Sequence, residues 1–222
     1  MLTVNAASGF GGGFFPPPFS FDFVTSHGTE DDEQTYTFSG SLGGNSTGFK
    51  HVIVGITAGG SAPFSTNFFP AVTIAGVTAT GLLKIGSPNN DGGTCLMIAQ
   101  TTATTGDIVI TFGQTVYRAD CGVWQMVSGN ATPTDTFTSI ANPATGTIDI
   151  PAPGVCVGIF TAWTSSTATW TGLTEDFDRV GNGSGSGASD FFASGATGRT
   201  VSVTPSGSPT QRSLCVAAFG EA

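Results

Sequence analysis

Residues 50–58 read "KHVIVGITA", an almost unbroken apolar run with two β-branched pairs and no polar stripe at helical spacing. Its length suits a strand buried on both faces. The same texture returns in TCLMIAQTT (94–102) and VCVGIFTAW (155–163), so these three runs are expected to be central strands. None approaches the roughly 18 apolar residues of a membrane span.

Around them lie segments that alternate with a period of two. Tyr36/Phe38, Ile108/Ile110/Phe112 and Ile148/Ile150 each place apolar side chains on one face, as strands with one buried side do. Further strands are expected at 71–76, 78–86, 120–127, 134–140, 168–173, 190–194, 200–205 and 213–219. SPNNDGG, NPATG, PAPG and SPTQ carry the turn residues that end strands. No window shows a sustained period of 3.6. The pattern predicts an all-β chain, read as a two-sheet antiparallel β-sandwich of jelly-roll type, with a barrel as the alternative.

Composition agrees with that class. Charged residues are 9% of the 222, and Thr, Ser, Asn and Gly carry the polar surface. The net charge of −9, with six Lys and Arg in all, disfavours nucleic acid, which needs clustered cations. The first residues lack the basic and apolar regions of a secretory signal. A surface poor in lysine nevertheless suits life outside a cell, and a virus particle released by lysis reconciles the two.

Two breaks in composition suggest the organisation. Residues 9–23, GFGGGFFPPPFSFDF, set six phenylalanines among glycines and prolines. Such a stretch favours an extended chain without internal hydrogen bonds. Residues 1–23 are therefore expected to be an arm, and 24–222 a single sandwich domain. Within the arm, Phe10, Phe14, Phe15, Pro16, Pro17, Pro18, Phe19, Phe21 and Phe23 are the candidate partner-binding residues, because exposed rings mark contact surfaces. The second break, GNGSGSGAS at 181–189, reads as a flexible loop between strands. No internal repeat is visible.

Signatures of catalysis are missing from the sequence. His27 and His51 have no recognisable nucleophile or metal partner, and GxSxG, HExxH and phosphate-loop motifs do not occur. No cofactor is implied. The acidic clusters Glu30–Asp31–Asp32–Glu33 and Glu175–Asp176–Asp178 offer oxygen ligands of the kind calcium takes, but neither matches an EF-hand loop; solvated acidic loops are the plainer reading. Cys95, Cys121, Cys156 and Cys215 each sit in an apolar run. They suit buried thiols or disulfides formed after release, and four allow three pairings. Trp170, flanked by small polar residues in ATWTG, is the candidate glycan contact; Trp124 and Trp163 lie in apolar runs and are expected in the core.

Taken together, TYTFSGSLGG, HVIVGITA, VTIAGVTAT, TTGDIVITF, CGVWQMVSG and ATWTGLTEDFD resemble structural proteins of tailed bacteriophages and of prophages in alphaproteobacteria. The resemblance implies a non-enzymatic virion component. With the aromatic arm, it leads to the expectation of a capsid decoration or head-spike subunit. Its partners would be the major capsid protein or other virion subunits, as a homo-oligomer such as a trimer. The alternative is a tail- or neck-associated carbohydrate-binding adhesin.

Overall fold

The computed structural model describes residues 18–44, 48–60, 70–88, 92–163, 166–181 and 183–222. Strands and the turns between them make up these residues, with no helix among them. The first half contains β1 (Ser20–Thr29), β2 (Glu33–Ser41), β3 (Lys50–Gly59), β4 (Ala71–Ile74), β5 (Val77–Thr78), β6 (Thr80–Gly86), β7 (Gly92–Thr101), β8 (Thr105–Val116) and β9 (Arg118–Val127). The second contains β10 (Asp135–Ser139), β11 (Ala144–Ile150), β12 (Gly154–Ala162), β13 (Ala168–Thr171), β14 (Thr174–Gly181), β15 (Gly183–Phe192), β16 (Ala196–Pro205) and β17 (Arg212–Gly220).

These strands form four antiparallel sheets where a single pair was expected. Their orders are β2-β8-β4-β5, β1-β9-β3-β7-β6, β10-β17-β12-β15-β14 and β11-β16-β13. Three apolar layers separate them. Val52, Val54, Ile56, Ile108 and Ile110 fill the first layer, between the first two sheets. Ile53, Leu96, Trp124, Val157, Ile159 and Phe219 fill the middle one, between the two five-stranded sheets. Phe160, Ala188, Val201, Val203 and Leu214 fill the third. The continuously apolar β3 and β12 therefore face a layer on each side, which is why they show no alternation.

The two halves share one strand order. Substituting β10 for β1, β11 for β2, β12 for β3, β13 for β4 and β14 to β17 for β6 to β9 converts the first two sheet orders into the last two, with β5 alone lacking a counterpart. A bulge fixes the residue register. The pairing of β6 with β7 shifts between Gly81 and Leu83, and that of β14 with β15 shifts between Glu175 and Phe177. Matching the bulges places Leu83 with Phe177 and, through the paired strands, Thr57 with Thr161 and Asp120 with Ser213. Residues matched in this way face equivalent layers: Ile53 and Val157 the middle one, Ile56 and Phe160 an outer one. The repeat that the sequence does not display is thus present in the fold.

Two further expectations change. The Gly/Ser run at 181–189 is not a loop: all of its described residues but Gly181 form β15, hydrogen-bonded to β12 on one side and β14 on the other. Aromatic rings supply the volume its side chains lack. A Cβ at Gly187 would lie 2.3 Å from Phe177 Cε1, and the Trp170 indole donates to Ser186 Oγ at 2.7 Å. The expected division at residue 23 falls inside β1, and the FSFDF alternation that leads into this strand turns Phe19, Phe21 and Phe23 onto the middle layer.

Candidate functional site

Phe19, Phe21 and Phe23 pack within their own chain. Phe23 stacks on Phe177 at 5.9 Å between centroids, and Phe19 meets Phe191 at 5.8 Å. Pro18, just before β1, is exposed. Phe10, Phe14, Phe15, Pro16 and Pro17 lie outside the described residues. Trp170 is half-buried: its ring lies over Gly158, where a Cβ would come within 2.7 Å, and its N–H is taken by Ser186. The glycan contact expected there is a ring of β13 held against β12 and β15 of the facing sheet.

The acidic clusters are likewise spoken for in part. Asp176 Oδ2 accepts from Trp124 Nε1 at 2.8 Å and from Ser189 Oγ at 2.6 Å, while Asp178 Oδ2 accepts from the Ala168 amide. Asp31 accepts from the Thr29 hydroxyl. Among the described residues, no three His, Cys, Asp or Glu side chains converge in metal-ligating geometry. All four cysteines are buried thiols without a disulfide. Burial pushes Cys121 and Cys215 up to about 12, so neither is a nucleophile at neutral pH.

A different set of side chains does converge, where the ends of β1 and β9 meet those of β14 and β15. Gly28, Thr29, Glu30, Arg118, Asp120, Arg179, Val180, Gly181 and Gly183 line a cleft of about 370 Å³. Arg118 and Asp120 open β9 two residues apart and point to the same side, at 3% and 6% exposure. Thr57 Oγ1 donates to Asp120 Oδ2 at 3.4 Å, and Arg179 Nε lies 3.4 Å from Oδ1. Arg118 Nη2 donates to Thr161 Oγ1 at 3.2 Å, whereas its buried Nε has no hydrogen-bond partner. Arg179 Nη2 reaches the Gly28 carbonyl. Gly183 leaves room for the guanidinium, since a Cβ there would sit 2.5 Å from Arg118 Cζ.

Loss of water dominates the electrostatics of this cleft. Asp120 is held above the ordinary carboxylate range because burial outweighs the pull of Arg118 and Arg179. Burial also lowers Arg118, against the opposing effect of Asp120 and Glu30. Glu30 is shared with a second cleft of about 370 Å³, lined also by Asp32, Tyr117 and Trp163. The Tyr117 and Trp163 rings are 6.3 Å apart at an interplanar angle of 43°. Both are pinned through the backbone, by Tyr117 N to Gly59 O and Trp163 N to Gln211 O.

Trp163, expected in the core, is instead half-buried at the second cleft, and Arg118, Asp120, Arg179 and Tyr117 belong to no recognisable motif. Arg118 and Asp120 alternate within RADCGVWQMV, and two charges in a strand that is otherwise apolar are the signal that marks them. No family model matches the chain, and no curated protein matches its sequence.

Proposed function

We propose that the chain is a non-enzymatic structural protein of a tailed-bacteriophage virion, a capsid decoration or head-spike subunit exposed on the particle. In this reading each half is a jelly-roll-like sandwich and the residues before β1 are the anchor. The observation that carries it is the exit of the chain at Pro18. That residue is exposed and leads into β1, an edge strand, so the described fold is entered at its surface, directly after the sequence that holds Phe10, Phe14, Phe15, Pro16 and Pro17. Phe19, Phe21 and Phe23 belong to the middle layer, so the anchor shortens to residues 1–18. Three further rings buried against a neighbour would contribute roughly 1.5–3 kcal/mol each before ordering costs.

The neighbour is the major capsid protein or another virion subunit, and local three-fold sites on a shell suit a homotrimer. The low charge and strand-rich surface support a rigid packed module. Deleting residues 1–17 tests the reading, because β1 and everything after it remain. The truncated chain is expected to melt as the parent does and to be missing from purified particles. Incorporation at the parental level, or particles that never contain the full chain, would overturn it.

A further inference from the structure

The fold contains its own control for the charged cleft. In the register fixed by the bulges, Arg118, Asp120 and Arg179 correspond to Gln211, Ser213 and Ile85 of the other half. The three matched positions therefore carry no charge, and Arg212, which lies between Gln211 and Ser213, is taken by the Ala141 and Pro209 carbonyls. Burying Arg118 and Asp120 costs desolvation that a neutral pair avoids, so folding alone does not account for them. The two aromatics are also one-sided: the position matching Trp163 is Gly59, against which the Trp163 ring itself lies.

We propose that this corner is a binding site for a neutral pyranose, taken either as a free sugar or as a residue of a glycan. The Tyr117–Trp163 pair offers an amphipathic aromatic surface to the C–H face of a sugar ring. Arg118, with its unpartnered Nε, and Asp120 offer a donor and an acceptor side by side, which adjacent ring hydroxyls satisfy together. Charge selects against acidic ligands. Two arginines face Asp120 and Glu30, with Asp32 in the adjoining cleft, and a chain of net charge −9 supplies no long-range attraction for an anion.

This site is separate from Trp170 and does not rest on the virion reading. The test uses the full chain on an array of neutral and acidic glycans, with titration by glucose, galactose and mannose followed by tryptophan fluorescence. Retention of neutral glycans is expected, and a response to a free monosaccharide tells a single-ring site from one that needs a longer glycan. Trp163→Ala and Asp120→Asn are each expected to weaken binding at least about tenfold, with thermal melts confirming that both fold. Glu175→Gln is expected to bind as the parent. Silence towards every neutral sugar, binding of acidic glycans alone, or undiminished binding by both folded variants would overturn the proposal.

Discussion

Gly187 shows how single residues set the packing of the middle layer. Its missing side chain leaves the space taken by Phe177 and Trp124, whose nearest atoms would lie 2.3 Å and 3.0 Å from a Cβ. Neither ring can withdraw freely, since Trp124 is tied to Asp176 and Phe177 stacks on Phe23. Gly187→Ala is therefore expected to destabilise the chain by about 1–3 kcal/mol, read from denaturant midpoints. Adding Phe177→Leu should recover part of the loss, which a purely backbone effect would not allow. The histidines give a pH dependence. Burial, with Arg179 adding to it, lowers His27 below its ordinary 6.5, and burial lowers His51 against a backbone hydrogen bond to Gly129. The unfolded chain then binds more protons, so this stability is complete above the ordinary value and lost as pH falls through it. Asp120, Asp176 and Asp178 are raised mainly by burial and act oppositely, losing stability as pH rises through their folded values. Comparing thermal melts of His27→Gln with the parent between pH 7.5 and 5.5 isolates the histidine. The variant should lose less stability on acidification, and equal slopes would contradict the assignment.

At the scale of elements, legibility in the sequence followed side-chain volume. β3, β7 and β12 carry their own apolar bulk and were recognisable, as were the alternating β2, β8 and β11. Of β15 only the end was, within the strand expected at 190–194, because SGSGAS resembles a linker and the bulk above and below it comes from Phe177, Trp124 and Trp170 on other strands. β1 was hidden differently: FSFDF has a strand's alternation, but the preceding glycines and prolines drew it into the arm. The cleft was illegible because four strands from both halves assemble it. β15 supplies the prediction at this level. Its backbone is paired on both edges, so the amides of 184–189 should exchange with deuterium as slowly as those of β12 and far more slowly than turn residues. Fast exchange across that run would return it to the status of a loop.

For the whole molecule, the issue is how two halves of one topology share a layer. Gly55 and Ile159 occupy matched positions, and they also touch: a Cβ on Gly55 would sit 3.0 Å from Ile159 Cβ. The halves thus meet at matched positions, and an empty position against a large one solves a contact that two identical side chains would crowd. Matched positions differ in size elsewhere too, Leu96 against Gly187 and Trp124 against Ala217, which is how the repeat escapes notice in the sequence. Each half keeps an outer layer of its own, so the middle layer, with the polar contacts of the charged cleft at its edge, makes their unfolding cooperative. Ile159→Asp places an unpaired carboxylate in that layer, at a cost of several kcal/mol unless it is protonated or hydrated by separation of the sheets. Calorimetry of the parent is expected to show one transition, and that of Ile159→Asp two, as each half melts on its own layer. Ile110→Ala, in the first layer, should lower the midpoint by a cavity effect of about 2–5 kcal/mol while leaving the middle layer to hold the halves together. A single transition in Ile159→Asp, merely shifted downward, would mean that neither half can stand on its outer layer, and the molecule would then be one indivisible core.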